Sequence, residues 1–568
     1  MVRTIFAVSL LLAKALAVFN ASESATELVI SNSRLYAAVN KSYGAIYKLR
    51  LDGQDLLGPK SGSTGIGPYL DCYCTPSGFY TPGSIAPQYK LIQGVDSNNV
   101  PYGGIVLSEK YPPTGQVLEQ YIFLREGETG LHMFSRLYYN NKTTPFLRNL
   151  QEFRTLFRPN TPLWTDLITK PGQKAPLPTV GKAKQVTVQD ATWYLGDTPE
   201  DPYVQKASDY FTKYTFSDTW RDIDAYGMYA DGSKSADGST FGAWLVMNTK
   251  DTYWGGPTHS DLTVDGIVYN YMVSNHHGAG TPNITDGYDR TMGPSYYHFN
   301  KGDAGTDIET LRKDAAQYAS PTWNAAFYDS IAPHVPNYVP TSGRERFRAH
   351  VDLPAGVKNP LLVLSQNKVD YQDNVLDTKA YQYWGKVDVA TGDVDIPMVK
   401  AGTYRMTIYG DGIFGNYIKD DVQVIVGDKH RVAHARWREE TAGTEIWRIG
   451  TPDKSSKEYR HGAVPNGKPE QLDEYLIYFG AYDFINDYPE GVRYTVGEGD
   501  PTKDLNYVHW SVFGGKGNFR RPERVVSDKI SNWTILFDLK EEQVTRKRKA
   551  TFTVCIAEDS TSPFSMAL

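Results

Sequence analysis

The chain has 568 residues, and its 59 Lys and Arg against 65 Asp and Glu give a net charge of −6. This balance argues against a general nucleic-acid binder, because no excess of basic residues dominates the surface. Aromatic residues make up 13% of the chain, which also carries 50 Gly and 33 Pro. That composition favours many short strands and turns, and the length predicts about three domains.

The chain begins with the features of a secretory signal peptide, "MVRTIFAVSLLLAKALAVFNAS". Arg3 supplies the positive start, an apolar run follows, and small residues surround Ala15–Ala17. We assign residues 1–21 to this peptide and expect a secreted, extracellular protein. No later apolar run is long enough to span a bilayer, so we expect no membrane partner. The N-x-S/T sites predicted to carry glycans are Asn40, Asn141, Asn283 and Asn532.

Between residues 22 and 339, short apolar and aromatic runs alternate with Gly, Asp, Asn and Pro turns, which predicts a large antiparallel β domain of stacked sheets. Two helices are expected near its end. The first, in "TDIETLRKDAAQYA", pairs Thr306 with Glu309 in capping-box spacing. The second, in "SPTWNAAFYDSIA", has Ser320 as its N-cap and Pro321 as its first residue. A Pro-rich stretch then marks a boundary near residue 340.

Beyond this boundary, closely spaced strands predict a small β-sandwich over residues 340–428, of the size of immunoglobulin-like modules. A further β unit spans residues 429–568. Its last predicted strand ends at Cys555 and is followed by a polar tail, so we expect it to be short of a closing strand, from truncation or a gene-model error. The basic run at 546–549 is interpreted as a solvated turn or strand edge, so no nucleic-acid partner is expected.

The chain contains three cysteines, Cys72, Cys74 and Cys555. An odd number in a secreted protein leaves at least one thiol unpaired within the chain. Only one residue separates Cys72 from Cys74, and a bridge between them would be strained, so we predict no disulfide. Three cysteines also cannot form a four-cysteine zinc module.

No nucleotide-binding loop, HExxH zinc motif or nucleophile elbow occurs in a suitable context. Pairs of carboxylates are present, such as Asp222 with Asp224 and Asp286 with Asp289, and a glycoside hydrolase built on such a pair stays an alternative. Because the chain has 65 acidic residues, pairs of this kind carry little specificity.

A more specific combination comes from four segments: "LQEFRTLFRPN", "TKYTFSD", "WGGPTHSD" and "YNYMVSNHHG". Together they resemble the catalytic domain of the fungal rhamnogalacturonan endolyases of polysaccharide lyase family 4. The resemblance covers most of the chain. It carries the family's Y-x-Y-x4-H pattern onto Tyr269, Tyr271 and His276, its Lys onto Lys213, and an Arg onto Arg154. His259 ends the G-G-P-x-H stretch, and His277 has no counterpart in the pattern.

The resemblance implies a secreted endolyase that cleaves the rhamnose-(1→4)-galacturonate bond of rhamnogalacturonan I, the backbone of one class of pectin, by β-elimination. It also implies three β domains: an N-terminal β-supersandwich similar to galactose mutarotase, a fibronectin type III-like sandwich and a carbohydrate-binding-like jelly roll. A non-catalytic carbohydrate-binding protein on the same scaffold is the second alternative.

The chemistry of β-elimination suits these residue types. The proton on C5 lies beside a carboxylate, so an enzyme must offset that negative charge and place a base near C5. We expect Arg154 to bind the carboxylate, Lys213 in its neutral form to act as base, and His276 to protonate the leaving oxygen or stabilise the intermediate.

The remaining site predictions concern groove residues. Tyr269 and Tyr271 share one face of a strand and are expected to line the groove, with core packing as the alternative. His259 is expected either to bind substrate or to order its loop. Trp220 and Trp254 are candidates for stacking on sugars, although a tryptophan in a β core is commoner.

His259, Asp261, Asp265 and His276 do not form a convincing set of metal ligands. We expect metal-independent catalysis without a cofactor, the rhamnogalacturonan backbone as partner, and a monomer.

Overall fold

The structure is a computed structural model. It describes residues 19–179, 186–189, 192–275, 280–376, 379–455, 458–459, 468–469, 488–505, 512–513, 525–526, 533–544 and 549–554. Residues 1–18 of the predicted signal peptide, Asn532 and Cys555 lie outside these ranges. None of the helices among the described residues combines the length and the apolar character needed to cross a bilayer.

The N-terminal half is built almost entirely from short antiparallel strands. They are β1 (Asn20–Glu23), β2 (Glu27–Ser31), β3 (Leu35–Asn40), β4 (Ile46–Leu51), β5 (Gln54–Asp55), β6 (Ile66–Thr75), β7 (Gly78–Tyr80), β8 (Gln88–Val95), β9 (Pro101–Lys110), β10 (Val117–Arg125), β11 (Gly130–Tyr139), β12 (Phe146–Asn149), β13 (Glu152–Arg158), β14 (Asp166–Lys170), β15 (Gln173–Pro176), β16 (Val186–Gln189), β17 (Thr192–Tyr194), β18 (Tyr210–Thr212), β19 (Ser217–Thr219), β20 (Ala225–Ala230), β21 (Thr240–Val246), β22 (Ser260–Leu262), β23 (Val268–Ser274), β24 (Asn283–Thr285) and β25 (Tyr288–Gly302).

Two of the sheets determine where the site lies. A nine-stranded sheet has the order β15-β14-β20-β21-β25-β11-β10-β9-β8, and a four-stranded sheet has the order β23-β13-β6-β7. Their inner faces share one hydrophobic core, to which Phe153 and Phe157 of β13 and Phe299 of β25 contribute. Inside this core, Thr155 Oγ1 lies 2.9 Å from the hydroxyl of Tyr297. The outer face of the four-stranded sheet is therefore the one that presents polar side chains.

The helices are few and short: α1 (Pro202–Lys206), α2 (Ile308–Ala316) and α3 (Ala325–Ile331), with α4 (Pro501–Asp504) much later in the chain. Both predicted helices exist, but their first turns differ from the prediction. Asp307 caps α2 in place of Thr306, accepting a bond of 2.9 Å from the Thr310 N–H. The second helix begins after Asn324 and not at Pro321, because Asn324 has φ of 59° and interrupts the helical geometry.

A second β unit follows a 3₁₀ turn at Thr341–Gly343. Its strands are β26 (Arg344–Asp352), β27 (Lys358–Gln366), β28 (Tyr383–Lys386), β29 (Asp393–Lys400), β30 (Gly402–Asp411), β31 (Tyr417–Val424) and β32 (Ala433–Arg436). They form two sheets, β29-β26-β32 and β28-β27-β30-β31, around a core of their own. The last strand pairs parallel to β26, so residues just beyond 428 pack within this sandwich.

The described strands of the third β unit are β33 (Val492–Thr495), β34 (Val512–Phe513), β35 (Val525–Val526) and β36 (Trp533–Leu536). They pair as β33 with β36 and β34 with β35. The prediction of a mainly β chain of several sandwiched sheets is confirmed. The domain boundaries at 21, 339 and 428 stay predictions.

The prediction for the cysteines was wrong. Cys72 and Cys74 form a disulfide within β6, with their Cα atoms 5.3 Å apart. Residues i and i+2 of a strand share a face, and this Cα separation lies within the range that a disulfide spans. Both sulfurs are buried in the main core, where Gln116 Nε2 donates to Cys74 Sγ over 3.1 Å.

Among the predicted glycan acceptors, Asn283 is exposed, while Asn40, at the end of β3, and Asn141 are partly exposed. These sites stay predictions.

Candidate active site

The outer face of the four-stranded sheet carries a cluster of charged and aromatic side chains. Successive side chains of β13 point to opposite faces of the sheet. Phe153 and Phe157 enter the core, and the outward-facing residues are Glu152, Arg154, Leu156 and Arg158. On either side, Arg154 is in register with Asp71 of β6 and Tyr271 of β23. The pairing of three strands therefore places one cation between a carboxylate and a phenol.

Arg154 is the centre of this cluster. Its Nε and Nη2 donate to Asp71 Oδ2 over 3.1 and 2.8 Å. Its Nη1 donates to Glu152 Oε2 over 2.5 Å and to the Tyr271 hydroxyl over 3.0 Å. Burial by itself would lower the pKa of Arg154, but Tyr271, Glu152 and Asp71 together raise it above its usual range. The guanidinium is thus a fixed cation with two anionic neighbours.

Tyr269 and Tyr271 stack with their ring centroids 5.6 Å apart. They are only 9% and 2% exposed, so they form a packed wall and not an open surface. Burial raises the pKa of both phenols, and each is therefore protonated at neutral pH. The Tyr269 hydroxyl donates to Asp265 Oδ2 over 3.1 Å, which links the pair to the loop before β23.

Asp265 was not predicted as part of the site. Burial raises its pKa to about 6, while the Tyr269 hydroxyl and the positive charges of Lys213 and Arg158 oppose this rise. Its Oδ1 is buried without a hydrogen-bond partner among the described residues. Asp265 is therefore a carboxyl that changes charge within the ordinary working pH range of an enzyme, next to two cations.

Lys213 begins a 3₁₀ turn, Lys213–Phe216, directly after β18. The turn is capped by Thr212, whose hydroxyl accepts from the Tyr214 N–H over 3.3 Å. Its ammonium lies 5.1 Å from the centre of the Tyr214 ring, and Tyr214 packs against the outer cluster that contains Tyr269 and Tyr271. The structure thus brings Lys213 to the same side of the sheet as Arg154.

His259 occupies a different position, inside the protein. It is 8% exposed, its ring stacks on Trp220 at 5.8 Å and meets the edge of Trp254 at 4.4 Å, and its Nε2 lies 3.1 Å from Asp261 Oδ2. Both tryptophans are buried as well. Of the two roles predicted for His259, this packing favours ordering of the loop over contact with a substrate.

The loop before His259 needs its glycines. A Cβ on Gly255, which has φ of 84°, would lie 2.4 Å from the His259 ring, and a Cβ on Gly256 would lie 2.8 Å from the Tyr371 ring. Tyr371 belongs to the second β unit, so the loop is held between His259 and the neighbouring domain.

His276 and His277 lie outside the described residues, and the pairing of His276 with Lys213 stays a prediction. Among the residues that the structure does describe, no group of three or more His, Cys, Asp or Glu is placed to bind a metal ion. Metal-independent catalysis also stays a prediction.

The carboxylate pairs considered for a hydrolase are already occupied. Asp222 pairs with Arg221 and Lys386, Asp224 with Arg312, and Asp289 with Arg136. Asp286 accepts from the Asn141 N–H over 2.8 Å. These carboxylates serve as ion-pair and turn partners, which argues against the hydrolase alternative.

Three outward-facing residues of this site were missed from the sequence: Asp71, Glu152 and Arg158. The period-two alternation of "EFRTLFR" would have placed Glu152 and Arg158 beside Arg154. Asp71 carries no comparable signal, because only the register between β6 and β13 brings it to Arg154.

Comparison with known proteins gives a consistent assignment. Three family models match the chain: "Probable rhamnogalacturonate lyase B middle domain" over residues 163–259, "Polysaccharide lyase family 4, domain II" over 354–432 and "Polysaccharide lyase family 4, domain III" over 445–566. A probable rhamnogalacturonate lyase B of Aspergillus niger is 55% identical over 97% of this chain and 77% of its own length. The chain belongs to the rhamnogalacturonate lyases of polysaccharide lyase family 4.

Other lyases of this family are equally similar. Rhamnogalacturonate lyase B of Emericella nidulans is 55% identical over 95% of this chain and 81% of its own length. A probable rhamnogalacturonate lyase C of the same species is 55% identical over 95% of this chain and 51% of its own length. The family resemblance drawn from Arg154, Lys213 and the Tyr269–Tyr271 motif is confirmed.

Proposed function

We propose that this protein is a secreted endolyase that cleaves the rhamnose-(1→4)-galacturonate bond of rhamnogalacturonan I by β-elimination. The observation that carries the proposal is the 55% identity over 97% of the chain to a protein named as a rhamnogalacturonate lyase. The cluster on the outer face of the four-stranded sheet also supports the proposal, because it holds the cations and aromatic rings that suit an acidic sugar.

In the proposed reaction, a base removes the proton on C5 of a galacturonate, and the electron pair forms the C4=C5 double bond as the C4–O bond breaks. The proton passes to the base, and the rhamnose oxygen that leaves C4 takes a proton in turn. We assign Lys213 in its neutral form as base and His276 as the partner that protonates the leaving oxygen or stabilises the intermediate.

Charge compensation of the uronate is the main electrostatic requirement. Arg154 contributes to it from a preformed cluster, in which four of its five N–H groups bind Asp71, Glu152 and Tyr271. We propose that the substrate carboxylate accepts a hydrogen bond from the fifth N–H, on Nη2, so that both ion pairs stay in place. Arg158, whose charge also acts on Asp265, adds positive charge at the far end of the outer face of β13.

We assign the wall of Tyr269 and Tyr271 a role in excluding water from the site. Buried neutral phenols exclude water from one side of the site and hold a hydroxyl beside the Arg154 guanidinium. A drier site strengthens the attraction between Arg154 and a bound carboxylate. His259 contributes by fixing the loop that leads into β22.

The function is tested by digesting rhamnogalacturonan and following the ultraviolet absorbance of the new C4=C5 double bond. A lyase produces this absorbance, a hydrolase produces reducing ends without it, and a binding protein produces neither. Lys213→Ala and His276→Ala are each expected to lower turnover by a factor of at least a hundred. Lys234→Ala, at an exposed lysine of the same domain, is the matched control. If both site variants keep nearly full turnover, the assignment of base and partner is wrong.

Secretion is proposed from the signal peptide at residues 1–21. The test is to express the whole chain in a fungal host and sequence the N-terminus of the protein in the medium. A mature protein that begins near residue 22 is expected, and retention of the intact chain within the cells would contradict the proposal.

A further inference from the structure

Phe79 is an exposed aromatic side chain beside the candidate active site. Phe79, on the edge strand β7, is 52% exposed. Its ring meets the edge of Tyr73 at 4.8 Å, and the Arg154 guanidinium lies 4.7 Å from its centre. Single exposed apolar residues are common on protein surfaces. What distinguishes Phe79 is its direct contact with the central cation of the candidate site.

A second cation continues the row beyond Tyr73. The Arg148 guanidinium lies 4.5 Å from the centre of the Tyr73 ring. Its Nε donates to the carbonyl of Asn149 over 2.9 Å, and its Nη1 donates to the carbonyl of Thr75. These bonds fix the group but do not neutralise it, and no carboxylate in the described part of the chain forms an ion pair with Arg148. This sets it apart from Arg154, which has two.

The contacts join these residues into one continuous row, the aromatic–cation strip: Tyr271, Arg154, Phe79, Tyr73 and Arg148. Register explains why they share a surface, since Tyr73 pairs with both Glu152 and Phe79, and Arg154 pairs with Tyr271. Along the strip, the Phe79 and Tyr73 rings lie between the two cations, Arg154 and Arg148.

We propose that this strip is a binding subsite next to the cleavage position and that it takes a further rhamnose–galacturonate repeat. The inference rests on the proposed function. Phe79 would stack against the apolar face of the rhamnose, a 6-deoxy sugar with a methyl group, and Arg148 would bind the carboxylate of the second galacturonate. Aromatic rings between two cations fit a polymer in which a rhamnose lies between two galacturonates.

The first test measures kcat and KM of Phe79→Ala and Arg148→Gln on rhamnogalacturonan and on the shortest oligosaccharide that the wild type cleaves. On the polymer, each substitution is expected to raise KM about tenfold with little change in kcat. On the short oligosaccharide, which does not reach Phe79 and Arg148, both variants should behave as the wild type. Phe79→Trp, which keeps a flat ring, should restore the wild-type KM.

Val389→Ala is the control, because Val389 is 63% exposed on the second β unit and lies away from the strip in sequence and sheet. An unchanged polymer KM in both variants would overturn the proposal. So would a loss of the same size on both substrates, since that result would place the two residues at the cleavage position itself.

A second test does not depend on catalysis. Calorimetric titration of Lys213→Ala with a long rhamnogalacturonan oligosaccharide measures binding directly, and adding Phe79→Ala or Arg148→Gln should weaken it about tenfold. If the wild type forms no double bond while these substitutions still weaken binding, the lyase function fails and the subsite stands. If the double bond forms and binding is unchanged, the subsite fails.

Discussion

At the scale of single residues, the site is organised around Arg154 and its two carboxylates. Asp71 and Glu152 come from neighbouring strands, and the guanidinium between them is largely buried. Without that cation, two anions would face each other in a poorly solvated position. Arg154 is therefore needed for folding as well as for binding a uronate.

We predict that Arg154→Ala lowers the free energy of unfolding by about 3–5 kcal/mol, because it leaves buried carboxylates unpaired. Arg154→Lys keeps the positive charge but loses the paired Nε and Nη2 bonds to Asp71. Compared with Arg154→Ala, it should therefore recover part of the stability and little of the activity. Urea denaturation and the double-bond assay measure the two effects. Arg50→Ala, at an exposed arginine of β4, is the control, and an Arg154→Ala protein as stable as this control would contradict the account.

Asp265 gives the site a dependence on pH. Because its pKa is raised to about 6 from a usual value of 3.8, the folded protein holds this proton more tightly than the unfolded chain does. Its contribution to stability is fully present below about pH 3.8 and is lost as the pH rises through about 6.

Asp265→Asn is therefore expected to remove this fall in stability between pH 4 and 6. It should also remove from the pH profile of kcat/KM any inflection near pH 6, because the side chain at position 265 then no longer changes charge there. Denaturation at several pH values and a pH–rate profile measure both. Asp231→Asn, at an exposed aspartate, is the control, and an unchanged pH profile would show that Asp265 does not affect the reaction.

At the scale of elements, signals from neighbouring residues predicted that the helices exist but not where each one begins. The capping-box spacing of Thr306 and Glu309 and the Ser320–Pro321 pair were sufficient to predict α2 and α3, but the first residue of each was misplaced. Asp307 competes with Thr306 for the cap of α2, and its carboxylate has the stronger attraction to the N–H groups of the first turn. For α3, the interruption at Asn324 accompanies a bond from its side chain to Glu128, a tertiary contact without a local signal.

We predict that Asp307→Ala destabilises the protein by about 1 kcal/mol, since it removes the bonds to the Thr310 N–H and hydroxyl. Lys313→Ala, at an exposed position of the same helix, should have an effect within about 0.5 kcal/mol. Chemical denaturation compares the two. Equal stabilities of the two variants would show that Asp307 is not the functional cap.

The residues of the candidate site also fall into two groups: those that the sequence identified and those that only tertiary contacts reveal. Arg154, Lys213, Tyr269 and Tyr271 were found through a family pattern, and the structure places them on one side of a sheet. Asp71 and Asp265 were not found, because register and burial give them their roles and neither is visible in a single sequence. The two roles of His259 could not be separated from the sequence for the same reason, since the Trp220 ring reaches it from another loop.

At the scale of the whole molecule, the second β unit is fastened to the loop that carries His259. Gln382 Nε2 donates to the carbonyl oxygens of Tyr253 over 3.1 Å and Lys250 over 3.4 Å, and also to that of Gly255. Close by, Arg344 and Asp251 form a buried ion pair of 2.8 Å. The conformation of the loop therefore depends on contacts from both domains.

Gln382→Leu is expected to lower stability by about 1–3 kcal/mol, because it leaves buried carbonyl groups unpaired. The fluorescence of Trp254 should change with it, since the Gly255 carbonyl is one of the groups released. Gln423→Leu, at an exposed glutamine of β31, is the control. A Gln382→Leu protein that matches this control in stability and fluorescence would show that the second domain does not hold the loop.

The most direct test of the central claim is the ultraviolet absorbance formed on rhamnogalacturonan by the wild type and by Lys213→Ala, with Lys234→Ala as control. The wild type and the control should form the C4=C5 double bond rapidly, and Lys213→Ala should lose at least a hundredfold in rate. New reducing ends without this absorbance, or an undiminished rate for Lys213→Ala, would contradict the central claim.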